Sequence, residues 1–188
     1  MVPAKKRAPP GRTCTACRKK SSIYAFLSPF LYNDEVIRGL VSSLKYQRVK
    51  SLGPTLGDML TEYQQKFDVS LPRGALFIPI PLHTGRQRIR GFNQAELIAK
   101  RLGERLGLAM ETGALLKVKK TTPQVELSAE ERRKNVIDTF AVSKAMAVKG
   151  RTVLLLDDVK TTGATLEEAA RVLKEAGAKK IWAITVAH

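Results

Sequence analysis

The sequence predicts an α/β fold in which a mainly parallel sheet carries helices on both faces. Short apolar segments of strand length alternate with longer segments whose apolar residues recur at helical spacing. Strands that are apolar along their whole length are typical of parallel sheets buried on both faces. Residues 153–186 contain a strand, a loop, a helix and a second strand, which is the order of a βαβ unit.

The first half of the chain predicts two helices and one strand. Asn33 is a suitable N-cap for the first helix. A second helix is expected over residues 52–67. The apolar segment 75–80 predicts a strand, and a loop rich in Pro, Gly and Arg follows over residues 81–92. The apolar face of the first helix comprises Val36, Ile37, Leu40, Val41 and Leu44.

The second half predicts three helices and three strands. Asn93 can cap a helix that ends just before Gly107. Ser128 and Glu131 have the spacing of a capping box, which predicts the start of a short helix. The last helix is expected over residues 165–176. The strands are expected over residues 115–118, 153–156 and 181–186.

The composition is that of a globular protein with a large excess of positive charge. Of the 188 residues, 33 are Lys or Arg and 17 are Asp or Glu, so the formal net charge is +16. That excess attracts polyanions but does not select among nucleotides, pyrophosphate-bearing sugars and nucleic acid. Residues 1–20 contain seven basic residues, three prolines and no acid. We therefore divide the chain into a flexible basic arm over residues 1–22 and a folded domain over residues 23–188.

The distribution of apolar residues bears on the location of the protein. No apolar segment reaches the length that a membrane-spanning helix needs, and none follows the basic N-terminus as a secretory signal requires. We therefore expect a cytoplasmic protein without membrane insertion. The sequence leaves the oligomeric state open.

The segment from Asp157 to Thr165 carries the clearest chemical signal. It follows a predicted parallel strand, and ligands of open α/β sheets bind beyond the carboxyl ends of such strands. Gly163 allows a tight turn, and the N-terminus of the next helix favours an anion such as phosphate. Asp157 and Asp158 suit sugar hydroxyls or Mg²⁺. Together these features predict a ribose 5-phosphate site, and the alternative is a strand end and a helix cap without a ligand.

Residues 153–165 resemble the phosphoribosyl pyrophosphate (PRPP) motif of type I phosphoribosyltransferases. Further segments that matter here are Leu31–Asp34, Leu44–Tyr46, Pro79–His83, Arg90–Gln94, Thr122–Gln124, Leu127–Ser128, Glu131–Arg132 and Asn135–Val136. Together, in order from about Cys14 onwards, these segments make the chain resemble the ComF family. The proteins of this family are competence-associated, phosphoribosyltransferase-like and linked to DNA uptake in transformable bacteria. The resemblance implies a type I phosphoribosyltransferase-like fold.

The resemblance implies that the matching residues bind PRPP together with Mg²⁺. Asp157 and Asp158 would be the ribose-hydroxyl ligands and the catalytic pair. The loop that follows them would surround the 5-phosphate. Its residues are Lys160, Thr161, Thr162, Gly163, Ala164 and Thr165.

The loop segment from Leu82 to Arg90 would face the pyrophosphate group. Guanidinium groups bind phosphate oxygens in pairs, which suits the arginines of this loop to that role. A solvated basic loop is the alternative, and we expect a structural rather than a catalytic role for the histidine. The residues concerned are Leu82, His83, Arg86, Arg88 and Arg90.

Residues 121–135 resemble the mobile loop that closes over PRPP in related enzymes. Basic side chains in and beside this segment would then reach the ligand, namely Lys119, Lys120, Arg132 and Arg133. A charged surface segment is the alternative. The residues assigned to the loop itself are Thr122, Gln124, Arg132 and Arg133.

Cys14 and Cys17 have the spacing of metal ligands, but a closed zinc site needs four ligands. Related proteins often carry a four-cysteine zinc element, of which this chain has what resembles the last pair. We therefore regard the pair as an incomplete zinc site and do not expect Zn²⁺ in this chain. A site shared between two chains is the alternative.

These features lead to three hypotheses about function. A transferase would displace pyrophosphate from the anomeric carbon of PRPP, with an acceptor that no segment identifies. A single-stranded DNA-binding competence protein would keep the PRPP site without turnover, in line with the positive charge. A nucleobase-salvage transferase is the third, but Thr161 replaces the acid that meets the base in purine-salvage relatives.

Overall fold

The computed structural model describes residues 21–119 and 135–188, and all structural statements concern these residues. In chain order the elements are β1 (Ala25–Leu27), α1 (Glu35–Tyr46), α2 (Leu52–Lys66), β2 (Leu76–Pro79), α3 (Thr84–Arg90), α4 (Gln94–Leu106), β3 (Ala109–Met110), β4 (Leu115–Lys117), β5 (Phe140–Val142), α5 (Ala145–Val148), β6 (Thr152–Val159), α6 (Ala164–Glu175) and β7 (Lys180–Ala187).

Five strands form one sheet in the order β1-β7-β6-β2-β3, and all neighbouring strands in it are parallel. The central strand β6 pairs with β2 on one side, where Pro79 is opposite Leu156, and with β7 on the other, where Thr185 is opposite Asp157. Strands β4 and β5 form a separate antiparallel ribbon. The parallel α/β fold predicted from the sequence is therefore confirmed.

Alternate side chains of β6 pack into two different cores, as the two-residue repeat of a strand requires. Leu154 and Leu156 pack with apolar residues of α1, α2 and α4 on one face of the sheet. Val153 and Leu155 pack on the other face with α6 and the β4–β5 ribbon. All four side chains are fully buried, so β6 is the strand that both cores share.

The cap of α1 differs from the prediction by one residue. Asp34, not Asn33, is the N-cap, because its Oδ1 accepts the backbone N–H groups of Val36 and Ile37 at 2.9 and 3.1 Å. The helix therefore begins at Glu35. Val36, which we expected on the inward face, is 69% exposed.

Helix α4 begins and ends as predicted. The Oδ1 atom of Asn93 accepts the backbone N–H of Ala95 at 3.0 Å, and Gly107 follows the helix in the left-handed conformation. The Nδ2 atom of Asn93 also donates to the backbone oxygen of Ile80 at 2.9 Å. This second bond fixes the start of α4 against the end of β2, which lies next to the candidate site.

Two predicted boundaries need correction. The segment 81–92, predicted as a loop, contains α3. This helix was not recognised because its mainly polar sequence lacks an apolar face. The strand predicted over residues 153–156 extends to Val159, so Asp157 and Asp158 lie inside β6 rather than after it. The short strands β1, β3 and β5 were not predicted.

None of the helices in the described part of the chain combines the length and apolar character that crossing a membrane requires.

Several predictions concern residues outside the described ranges. The predictions that lie outside the described residues are residues 1–20 of the basic arm predicted over residues 1–22, the zinc ligands Cys14 and Cys17, the capping box of Ser128 and Glu131, and the mobile-loop residues Thr122, Gln124, Arg132 and Arg133.

Candidate functional site

A cleft of about 500 Å³ lies at the carboxyl ends of β2 and β6. It is bounded by the end of α1, by α3, by β4 and by the first turn of α6. Several predicted site residues come together here from segments far apart in the sequence. The ionisable Lys, Arg and Asp residues that line the cleft are Lys45, Arg48, Arg86, Arg90, Lys117, Asp157 and Asp158.

The acidic pair, Asp157 and Asp158, lies near the C-terminal end of the central strand β6. Asp158 is only 3% exposed, whereas Asp157 is half-buried. The Oδ1 atom of Asp157 accepts the backbone N–H of Asp158 at 2.9 Å. The buried strand below fixes both carboxylates at the floor of the cleft.

Asp158 forms a buried ion pair with a lysine that the sequence analysis missed. The Nζ atom of Lys45, in the last turn of α1, lies 2.8 Å from Oδ1 of Asp158. Burial alone would lower the pKa of Lys45, but the carboxylates of Asp158 and Asp157 outweigh it, so the pKa of Lys45 is raised. The other carboxylate oxygen of Asp158, Oδ2, is buried and has no hydrogen-bond donor among the described residues.

Burial and the neighbouring negative charge of Asp158 raise the pKa of Asp157 to about 7. The positive charges of Lys45 and Lys117 and the backbone N–H of Asp158 act in the opposite direction but are weaker. Near neutral pH, Asp157 is therefore partly protonated.

The arginine-bearing wall of the cleft is the short helix α3. Arg86 and Arg90 line the cleft, whereas Arg88, on the same helix, does not. Burial lowers the pKa of Arg90 despite the nearby carboxylate of Asp158, and Arg86 contributes in the same direction. The guanidinium of Arg90 donates to Oε1 of Gln94 on the next helix.

His83 has the structural role that we expected. Its Nδ1 accepts the backbone N–H of Gly85 at 3.2 Å, which caps α3, and the side chain is not part of the cleft lining. Leu82, the residue before it, does line the cleft.

Lys117, at the end of β4, is a second cation that the sequence analysis missed. Burial lowers its pKa, and the positive charge of Arg86 lowers it further, while Asp157 acts in the opposite direction. Lys117 on β4 and Arg86 on α3 therefore repel one another in the cleft that both line. Two neighbouring cations of this kind suit an anion placed between them.

The predicted phosphate loop is divided between the cleft and a second cavity. Thr165 lines the cleft. Lys160, Thr162 and Gly163 instead line a cavity of about 190 Å³ behind the loop, where Nζ of Lys160 lies 4.7 Å from the centroid of the Phe26 ring.

The turn into α6 has the geometry expected of a glycine. Gly163 is the N-cap, with φ at 79°, a conformation that glycine adopts without strain. The hydroxyl of Thr162 accepts the backbone N–H of Ala164 at 3.3 Å. Thr161 is exposed, and Ala164 lines a third cavity, of about 280 Å³, formed with α6.

Comparison with known proteins assigns the chain to a family. Residues 90–188 match the family model described as "Phosphoribosyl transferase domain". Competence protein F of Haemophilus influenzae is 32% identical over 89% of this chain and 75% of its own length. DNA utilization protein YhgH of Salmonella typhi is 28% identical over 93% of this chain and 78% of its own length.

Among solved structures, a glutamine PRPP amidotransferase of B. subtilis aligns with a TM-score of 0.44 and 20% identity. That alignment covers 72% of this chain and 25% of the other. The chain belongs to the phosphoribosyl transferase domain family and, within it, to the ComF family of competence protein F homologues.

Proposed function

We propose that this protein binds PRPP together with Mg²⁺ in the cleft and that it acts in DNA uptake. One observation carries the binding proposal: Oδ2 of the buried Asp158 lacks a donor among the described residues, in a cleft that five Lys and Arg side chains also line. A buried carboxylate oxygen without a donor is costly, and a sugar hydroxyl supplies one. A phosphorylated sugar, which carries both hydroxyls and phosphate groups, matches this arrangement.

The positions of the charged residues suit the ribose and the pyrophosphate group of PRPP. The ribose hydroxyls would face Asp157 and Asp158, and the pyrophosphate group would lie between Arg86, Arg90 and Lys117. The lowered pKa values of Arg90 and Lys117 support this assignment, because each reflects a cation in a partly buried place among other cations. A pyrophosphate group there would relieve the repulsion.

The 5-phosphate end would bind at the N-terminus of α6. The first N–H groups of a helix have no acceptor within the helix, and its dipole favours a negative charge at that end. Gly163 lets the backbone approach a phosphate closely. Lys160 contacts Phe26 on the far side of the loop, so we do not assign it to the phosphate.

The residues of the cleft fit a Mg²⁺ ion that enters with the ligand. No group of three or more His, Cys, Asp or Glu side chains within the described ranges could hold a metal ion. Mg²⁺ is commonly bound by one or two carboxylates together with substrate phosphates. Asp157 is the carboxylate that would hold it, and the ion would supply positive charge beside the pyrophosphate.

A transferase reaction at this site would break the bond between the anomeric carbon of PRPP and its pyrophosphate oxygen. A bond from that carbon to a nitrogen of the acceptor would form, and the acceptor would lose a proton. Negative charge grows on the departing pyrophosphate, where Arg86, Arg90 and Lys117 would stabilise it. The acidic pair would hold the ribose in position.

The proposed role in DNA uptake rests on the relatives. They carry the names competence protein F and DNA utilization protein, and they align with most of this chain. A cytoplasmic location is part of this proposal.

Single-stranded DNA binding is a second candidate, and one observation favours it. Tyr46 lines the cleft but is 67% exposed, and Arg48 and Ile89 lie on the same surface. An exposed aromatic side chain beside cations suits the stacking of a base on a strand whose phosphates the cations bind.

Calorimetric titration of PRPP with Mg²⁺ tests the first proposal. We expect binding to the wild type and at least about a hundredfold weaker binding to the Asp157→Asn, Asp158→Asn double variant, because both negative charges are lost and each side chain exchanges one acceptor oxygen for an amide donor. Asp68→Asn is a matched control, since Asp68 is exposed and lies outside the cleft. Wild-type protein that is folded but does not bind PRPP would contradict the proposal.

Two further measurements separate the candidates. Release of pyrophosphate in the presence of nucleobases or amines would identify a transferase and its acceptor. Fluorescence anisotropy with a labelled oligothymidine at low and high salt would detect DNA binding, which should weaken steeply with salt. Tyr46→Ala should reduce DNA binding and leave PRPP binding unchanged if the second candidate is correct.

A further inference from the structure

The ion pair of Lys45 and Asp158 differs from the other ion pairs of the described residues. The Lys45 side chain is 19% exposed and that of Asp158 is 4% exposed. In the other pairs the basic side chain is at least 36% exposed. Removing two charges from water costs several kcal/mol per ion, so a buried pair is weak evidence for a role in stability. Because both residues line the cleft, a role in ligand binding explains the buried ion pair better than a role in stability.

Each carboxylate of the acidic pair already has one oxygen engaged. Oδ1 of Asp157 accepts the backbone N–H of Asp158 at 2.9 Å, and Oδ1 of Asp158 lies 2.8 Å from Nζ of Lys45. Oδ2 of Asp158 is buried and has no donor in the described part of the chain. The hydroxyl of a sugar is a donor of the kind that this oxygen lacks.

Two adjacent carboxylates would otherwise attract a divalent cation from solution. The ammonium of Lys45 already supplies a positive charge there, at the distance of a charge-assisted hydrogen bond. A divalent ion at Asp158 would have to displace this ammonium or lie beside it, and both arrangements are unfavourable.

We propose that Lys45 is a positioning residue whose ammonium acts as a built-in counter-cation, excluding divalent metal from Asp158 and holding this carboxylate ready for a sugar hydroxyl. The inference rests on the proposed function in one respect, the identity of the sugar as the ribose of PRPP. It implies that Mg²⁺ enters the cleft with PRPP and does not bind to the acidic pair beforehand.

Electron paramagnetic resonance of Mn²⁺ without PRPP tests the metal exclusion. Mn²⁺ prefers oxygen ligands and reports binding through loss of its free-ion signal. We expect no binding at the acidic pair in the wild type, and at least about tenfold tighter Mn²⁺ binding in Lys45→Met, where the carboxylates become free. Lys45→Arg should behave as the wild type because it keeps the positive charge. Lys100→Met, at an exposed lysine outside the cleft, is the control and should behave as the wild type.

Wild-type Mn²⁺ binding that is abolished by Asp157→Asn would overturn the inference, and this measurement does not require Lys45→Met to fold. Equal Mn²⁺ affinity of folded Lys45→Met and the wild type would also overturn it.

The affinity for PRPP tests the positioning of Asp158. We expect PRPP to bind about tenfold or more weakly to Lys45→Met, with recovery to within about threefold in Lys45→Arg. Unchanged PRPP affinity in folded Lys45→Met would overturn the positioning role. A wild type that does not bind PRPP would contradict the proposed function, whereas the Mn²⁺ measurements would still decide the metal exclusion.

Discussion

The two walls of the cleft are built in different ways. The acidic wall is the end of β6, a central strand whose side chains are buried in both cores. The arginine wall is α3, a helix of seven residues with no buried side chain, capped by His83. The acidic wall is therefore held by packing, and the arginine wall by hydrogen bonds at its ends. We expect substitutions in β6 to change folding stability, and substitutions in α3 to change mainly ligand binding.

The largest expected effect is on the acidic wall. Leu156→Ala removes a fully buried side chain directly before Asp157 and leaves a cavity. We expect the free energy of unfolding to fall by about 2 to 5 kcal/mol, measured by urea denaturation. Leu116→Ala is the control, because Leu116 is 43% exposed and its loss should cost less than about 1 kcal/mol. Equal losses at the two positions would contradict the comparison.

A second prediction concerns the charge of Asp157. Because its pKa is raised from 3.8 to about 7 in the folded protein, the folded protein binds more protons than the unfolded chain between these values. The free energy of unfolding should therefore fall as the pH rises across that range. Asp157→Asn should remove this dependence and increase the free energy of unfolding at pH near 8 by about 1 to 3 kcal/mol. Denaturation at several pH values measures both effects, and an unchanged slope would contradict the raised pKa.

A third prediction compares two arginines of α3. Arg90 lines the cleft and Arg88 does not, although both lie in the last turn of the helix. We expect Arg90→Gln to weaken pyrophosphate binding about tenfold and Arg88→Gln to weaken it less than about twofold, measured by calorimetry. Equal losses would mean that net charge, rather than the position of the side chain, governs binding on this wall.

The smallest expected effect is at the cap of α3. His83→Ala removes the side chain that accepts the backbone N–H of Gly85, which should lower the free energy of unfolding by about 0.5 kcal/mol. His83→Asn should retain most of the stability, because Asn is a good N-cap. Thermal unfolding of the two variants measures the difference. A loss above about 2 kcal/mol for His83→Ala would mean that α3 is packed as firmly as β6.

The elements predicted correctly have strong local signals. Helix α4 has the capping residue Asn93 before it and Gly107 after it. The four consecutive apolar residues from Val153 to Leu156 indicate a buried strand, and all four are fully buried. The strand β1 was missed because only three residues form it, and it joins the sheet only through pairing with the distant β7. Val36 was misplaced because spacing alone does not define the edge of a helical face.

The candidate site was predicted only in part, for a related reason. Asp157 and Asp158 are adjacent in a recognisable segment, so the sequence alone indicates them. Lys45 and Lys117 lie 112 and 40 positions before Asp157, and only the fold brings them to the cleft. An ion pair between residues as distant in sequence as Lys45 and Asp158 cannot be recognised from local composition. The resemblance of Leu44–Tyr46 to the ComF family identified a matching segment but did not indicate the role of Lys45.

The position of β6 in both cores has a consequence for hydrogen exchange. Backbone amides of a strand shared by two cores exchange with solvent only when both cores open, which amounts to global unfolding. Local fraying, which exposes loops and chain ends, does not reach them. A ligand held by Asp157 and Asp158 would be attached to the part of the molecule that opens last, so its binding energy would protect the whole fold rather than a single segment.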